Sequence, residues 1–178
     1  MQLKKEHKVI IVSCIFISLF FIFYFSLGKS NQHNPTVMIG KKLPIISGNS
    51  LENDKKINLN SKLKNELFLI NIFASWCAPC KEEHKYLMDL KSFKIKIVGI
   101  NYKDSEQNAK QFLRKLNDPY FEVIKDYSGK LSIELGAYGV PETYVIDKNH
   151  NIISKHIGPI NEKFVKEIRE LKKLKFLN

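Results

Sequence analysis

The chain has 178 residues, of which 29 are Lys or Arg and 18 are Asp or Glu, for a formal charge of +11. That length suits one ordinary domain with a tail or anchor and excludes a large multidomain enzyme. An apolar fraction of 44% with 26% charged residues excludes a disordered chain, and three Cys are too few for a disulfide framework. The charge does not mark a nucleic-acid binder. Arg occurs only at Arg114 and Arg169, whereas phosphate and base contacts lean on the Arg fork. Lys rises together with Ile and Asn, as AT-rich coding would make it.

Val9 to Leu27 is a run of 19 residues without charge. As a helix it spans about 28 Å, close to the thickness of a bilayer core. A secretion signal has a shorter apolar stretch and ends in a small-x-small site, and Tyr24-Phe25-Ser26-Leu27-Gly28 offers no convincing one. Lys4, Lys5 and Lys8 precede the run and only Lys29 follows closely. The positive-inside bias then assigns residues 1–8 to the cytoplasm, 9–27 to a transmembrane anchor and the rest to the other side. Ile11-Val12-Ser13-Cys14 looks like a lipoprotein box, but only five residues separate Lys8 from Cys14 and the apolar run continues past it. Cys14 reads as a small hydrophobe of a membrane helix. Residues 28–40 read as a polar, Pro-containing linker, and 41–178 as a domain able to bury one core.

Leu43–Ile46 and Ile57–Leu59 flank a turn-rich stretch and predict a short hairpin at the domain entry. Leu67–Ala74 is almost wholly apolar, the pattern of a strand buried on both faces. Pro79–Leu90 predicts a helix with Leu87 and Leu90 on one side, and Phe93–Ile100 a strand. Asp104 with Gln107 predicts a capping box for a helix through Leu116, with Phe112, Leu113 and Leu116 inward. Phe121–Ile124 follows as a strand and Lys130–Leu135 as a short helix ended by Gly136. Thr143–Ile146 and Ile152–His156 are strands joined by Asp147-Lys148-Asn149-His150. Asn161 caps a last helix with Phe164, Val165, Ile168, Leu171 and Leu174 at helical spacing. This order predicts an α/β fold, a mixed sheet with helices on both faces.

Trp76-Cys77-Ala78-Pro79-Cys80 lies between the buried strand and the next helix. There the unpaired N–H groups and the dipole of the helix stabilise a thiolate at the first Cys. Two intervening residues let Cys80 reach back and close a small disulfide, as cycling by thiol–disulfide exchange requires. Pro79 falls in the first helical turn, where a missing N–H does no harm. A structural disulfide would constrain little chain. Half a zinc site would need two more ligands, and His7, His33, His84, His150 and His156 show no paired spacing. Both alternatives stay open on these residues alone. Pro141, in Gly139-Val140-Pro141-Glu142-Thr143 just before a strand, is a candidate for a cis peptide bond.

These features together resemble the thioredoxin superfamily. Phe73 through His84, then Gly99-Ile100-Asn101-Tyr102-Lys103-Asp104, then Gly136 through Thr143 narrow the resemblance to the CcmG/DsbE family, from about Lys41 to the last helix. That resemblance implies a thioredoxin-like fold behind a single transmembrane helix in a bacterial inner membrane, with the soluble domain in the periplasm. It implies a protein-disulfide reductase of cytochrome c maturation. Electrons would come from a membrane donor of the CcdA or DsbD type and pass to apocytochrome c or a CcmH-like partner. No cofactor or metal is implied beyond the redox-active pair. Cys77 would be the exposed nucleophile, with Trp76 before it, Cys80 the resolving thiol and Pro141 the cis-proline. Glu83, Glu142 and Tyr138 match residues near the family's active site. Thioredoxin carries a buried Asp six residues before its first Cys, where this chain has Asn71. Proton management would therefore fall to Glu83 or Glu142, and His84 would be helix surface. A TlpA- or ResA-like reductase serving another client, such as oxidase copper-site assembly, is the related alternative. A non-enzymatic metal-binding module using the Cys pair is the unrelated one.

Overall fold

The computed structural model describes residues 5–27 and 38–176, which belong to separate units, Met1–Asn34 and Pro35–Asn178. In the first, helix α1 (Lys5–Leu27) projects apolar side chains on every side, Ile10, Phe16, Phe20 and Phe23 among them. An amphipathic stripe, which would mark a helix lying on a core, is missing from it. Its stretch Glu6–Phe25, with mean hydropathy 2.5, is long and apolar enough to cross a membrane. Residues 1–4 of the expected cytoplasmic segment and 28–37 of the expected linker lie outside the described residues.

The second unit is built on a sheet of order β5-β4-β3-β6-β7. Strands β3 (Phe68–Phe73), β4 (Lys96–Tyr102) and β5 (Glu122–Asp126) run parallel, while β6 (Glu142–Ile146) and β7 (Ile152–Ile157) add antiparallel to β3 and to each other. All six residues of β3 are buried, as a central strand covered on both faces requires. Its alternation divides the core. Leu69 and Phe73 join Ile97, Val123 and Val145 under helices α3 (Ala78–Ser92), α4 (Glu106–Leu116) and α6 (Glu162–Phe176). Phe68, Ile70 and Ile72 join Val98, Ile100, Tyr144 and Ile146 on the other face, under Leu43, Ile46, Leu59, Leu63 and Leu135. These last come from the entry segment, helix α2 (Leu59–Lys62) and the end of helix α5 (Lys130–Glu134). The mixed sheet with helices on both faces is the one the sequence predicts.

The entry hairpin forms in a shifted place, between β1 (Ser47–Asn49) and β2 (Lys56–Asn58). Leu43–Ile46 is no strand: Leu43 and Ile46 are buried plugs, and the Ile46 N–H donates to the side chain of Asn60 at 2.9 Å. Leu59 opens α2 because Asn58 caps it through the Ser61 N–H. The same entry segment meets both outer strands, through bridges Ser50–Ile124 on β5 and Lys42–Asn151 at the start of β7. Strand β4 begins at Lys96 rather than Phe93, because α3 runs on to Ser92 and Lys94 takes a left-handed turn at φ 56°. The N-cap of α4 is Ser105, not Asp104; its hydroxyl accepts from the Asn108 N–H. Ala109 and Leu113 are the buried residues of that helix, whereas Leu116 stays half exposed. Strand β5 starts one residue late, leaving Phe121 exposed. Asn161 caps α6 through the Phe164 N–H at 3.1 Å, and Phe164, Val165 and Ile168 are buried with Leu171 against them. The side chain of Leu174 lies outside the described residues.

Candidate active site

A short loop, residues 74–77, joins the central strand to helix α3, and Cys77 is the N-cap of that helix, with Sγ accepting from the Cys80 N–H at 3.2 Å. An N-cap acceptor takes up one of the orphan donors of the first turn, here with sulfur in place of oxygen. Cys77 and Cys80 form a disulfide with Cα atoms 5.3 Å apart. The expectation of an exposed Cys77 is corrected: Cys77 is 4% and Cys80 2% exposed. Both sulfurs lie in the apolar cluster with Phe73 and Ala74, with Val140 packed against it. What is exposed is Trp76 at 59%, next to Cys77 in the chain, and Tyr138 at 49%, on the loop before Pro141. The Val140–Pro141 peptide bond is cis.

The loop carrying Trp76 is held from β4. Asp104, freed from capping α4, accepts from the Ser75 N–H at 2.7 Å, the Ser75 hydroxyl at 2.8 Å and the Asn101 amide at 3.0 Å. The Trp76 indole N–H donates to the Lys103 carbonyl at 3.1 Å.

Glu83 lies one helical turn past Cys80, on the same face of α3, and is completely buried. One carboxyl oxygen accepts from the Asn71 amide at 2.8 Å and the other from the Ile160 N–H at 2.9 Å. Among the described residues Glu83 has no ion pair. Burial raises its pKa from 4.5 to about 7, against the opposing pull of the Ile160 and Asn71 donors. Asn71, on β3, also donates to the Thr143 hydroxyl at 3.0 Å and accepts from the Tyr120 hydroxyl at 2.7 Å. A polar group at every step is satisfied by the next, as burial demands.

Glu142 is equally buried but differently partnered. It accepts from the Tyr138 N–H at 2.8 Å, the Gly139 N–H at 3.3 Å and the Tyr144 hydroxyl at 3.1 Å, and pairs with Lys155 at 3.0 Å. The Lys155 ammonium also donates to the Gly136 carbonyl at 2.7 Å and lies 4.6 Å from the centre of the Tyr138 ring. Glu142 and Lys155 thus fasten the loop 136–141 from beneath. Of the two acids named from the sequence, Glu142 is held in an ion pair with Lys155, whereas Glu83 has none among the described residues. His84 is buried, not surface: it is 4% exposed, its Nε2 lies 2.6 Å from the Asn117 carbonyl and its ring meets Phe112 edge to face.

Tyr120, Thr143, Lys155 and Asp104 were not found as site residues in the sequence. Lys155 sits in Ile152–His156, a strand marked in the sequence by its connection to Thr143–Ile146 and not by any charged pairing. Tyr120 stands in a short turn with no periodic neighbour to mark it as inward.

The Redoxin family model matches residues 38–174. A probable thiol:disulfide interchange protein DsbE-2 of Pasteurella multocida is 35% identical over 175 residues, 96% of this chain and 93% of its own. The thiol:disulfide interchange protein DsbE of Vibrio cholerae is 38% identical over 138 residues, 78% of this chain and 75% of its own. Among solved structures, a secreted thiol-disulfide isomerase of Corynebacterium glutamicum superposes with a TM-score of 0.64 at 28% identity, over 71% of this chain and 81% of that one.

Proposed function

The chain belongs to the Redoxin family, as a thiol:disulfide interchange protein of the DsbE type with a thioredoxin-like fold, and on that premise we propose that it is a membrane-anchored reductase of protein disulfides. The client is apocytochrome c or a CcmH-like partner, whose cysteines must be thiols before haem is attached. The donor is a membrane dithiol protein of the CcdA or DsbD type. The observation that carries the direction of proton flow is Glu83, a buried carboxyl one turn past Cys80 with no ion pair among the described residues and a pKa raised by burial to about 7.

The Cys77 thiolate, stabilised by the Cys80 N–H and the helix terminus, attacks one sulfur of the client disulfide. An S–S bond forms between Cys77 and the client, and the other client sulfur leaves as a thiolate. Cys80 passes its proton to the Glu83 carboxylate and attacks the Cys77 sulfur. The mixed disulfide breaks, the Cys77–Cys80 bond closes, and the second client thiolate departs. Two electrons have moved to the client, and a donor dithiol restores the pair. The exposed Trp76, next to Cys77 in the chain, offers the client an aromatic surface beside the pair. The family's location, a bacterial inner membrane with the domain in the periplasm, agrees with α1 and with Lys4, Lys5 and Lys8 ahead of it. Such a compartment is oxidising, so a reductase there needs a dedicated donor. Full-length Cys80→Ser, expressed in the native cells, is expected to trap a disulfide through Cys77 with a cytochrome c precursor or a CcmH-like protein. Capture of a broad set of unrelated secreted proteins would overturn the reading.

A further inference from the structure

We propose that Tyr120 is a positioning residue for the proton acceptor, pinning the Asn71 amide so that its nitrogen, not its oxygen, faces Glu83. This rests on the reading of Glu83 as the group that takes the Cys80 proton.

An amide is two-faced, and which face meets a carboxyl decides which protonation state is favoured. Turned as it is, Asn71 donates to Glu83 at 2.8 Å, and a donor favours the carboxylate. Turned over, its oxygen would face the carboxyl and favour the protonated acid. Thr143 does not choose between the two, because a hydroxyl accepts or donates equally well. Tyr120 does choose. Its hydroxyl donates to Asn71 Oδ1 at 2.7 Å in a buried place, and the turned-over amide would leave that proton without an acceptor. The phenol stays a donor throughout, since burial and the nearby Glu83 and Asp118 raise its pKa well above 10. The ring is fixed independently of the hydroxyl: it stacks on Phe73 at 4.7 Å.

The groups that face Glu83 come from every element around it. They are the Cys pair on its own helix, with His84 beside it in sequence; Asn71 from β3; Tyr120 with Asp118 before β5; Thr143 through Asn71 from β6; and the Ile160 N–H before α6. Only the amide has two orientations open to it with opposite effects on the carboxyl.

The test uses the full chain in detergent. Tyr120→Phe keeps the ring and removes only the pin. The Glu83 titration, followed by carboxyl 13C NMR and assigned with Glu83→Gln, is expected to move up by roughly one unit, a drop of about fivefold in carboxylate at neutral pH. Site-specific 3-fluorotyrosine at position 120, a stronger donor, is expected to move it down. In an Asn71→Ala background Tyr120→Phe is expected to move it not at all, because the pin acts through the amide. An unshifted midpoint in Tyr120→Phe, or an equal shift without Asn71, overturns the proposal; thermal unfolding of each variant shows that a shift is not loss of fold. The parent reading fails separately. If Glu83→Gln leaves the pH profile of thiol–disulfide exchange unchanged, Glu83 is not the acceptor, whatever Tyr120 does to its titration.

Discussion

Glu83 is costly to bury, and the cost has a pH signature. With the disulfide closed, the folded chain keeps the Glu83 proton up to about pH 7, whereas an unfolded chain releases it near 4.5. The folded state therefore binds more protons across that window, and stability falls as pH rises through it. The contribution is fully present below about pH 4.5 and gone above about pH 7. At about 1.4 kcal/mol per unit it amounts to about 3 kcal/mol. Glu83→Gln should flatten this limb in denaturant unfolding measured from pH 4.5 to 8; an unchanged slope would show that the carboxyl is not held protonated. The same variant should slow closure of the mixed disulfide by about 100-fold, the usual scale of a lost proton acceptor, while leaving the first attack by Cys77 near its original rate. Stopped-flow measurement of the two steps separates them. At Cys77, alkylation of the reduced full chain should precede alkylation of Cys80, since only Cys77 caps the helix with its sulfur. Reaction at Cys80 first would reverse the assigned roles.

Between elements, two contacts set the geometry around the pair. Lys155→Met should leave Glu142 as a buried charge without its ammonium, and breaking such a pair costs about 3–5 kcal/mol. Lys155→Met with Glu142→Gln should recover much of that loss in urea unfolding; equal stability of the single and double variants would show that the pair carries no charge cost. Gly99→Ala should cost about 1–3 kcal/mol by overpacking, because a Cβ there falls 2.8 Å from Phe73 and 3.2 Å from the Tyr120 ring; calorimetry reads it directly. Local features were legible in the sequence for a reason these contacts lack. Strand β3, the helix opening at Cys77 and the Asn161 cap are each decided within a few residues. The burial of Glu83 and of His84, expected at the helix surface, carried a local signal that went unused: both lie between Cys80 and Leu87 on one helical stripe. Asp104 was misread because Ser105 beside it is an equally good cap, and what draws Asp104 away is Ser75, 29 residues distant. Lys155 meets Glu142 only because β6 and β7 pair with Tyr144 opposite Lys155 and a shift between Val145 and Ile146, a register that composition does not encode.

For the whole molecule, the proposed reading joins α1 and the site in one arrangement: a thiol pair tethered in a membrane beside a dithiol donor would raise the local concentration of each for the other. Acid trapping followed by alkylation should find Cys77 and Cys80 mainly as thiols in growing cells, and a fully oxidised pair would defeat the reductase reading. A reporter fused after Asn178 should be active only on the exported side of the membrane. The way the entry segment meets the outer strands bears on what kind of client such a protein tolerates. An unfolded polypeptide carrying a disulfide is a strand in search of a sheet, and bare sheet edges invite it to add on. Here Ser50 already occupies β5 at Ile124, and Lys42 stands at the head of β7. At those two places the molecule has plugged its own edges with its own chain. On the proposed reading, a client would meet covered backbone at those two places and would be held through the sulfur it offers. Resolution of that bond would then release it, with no added strand at Ile124 or at the head of β7 to keep it in place.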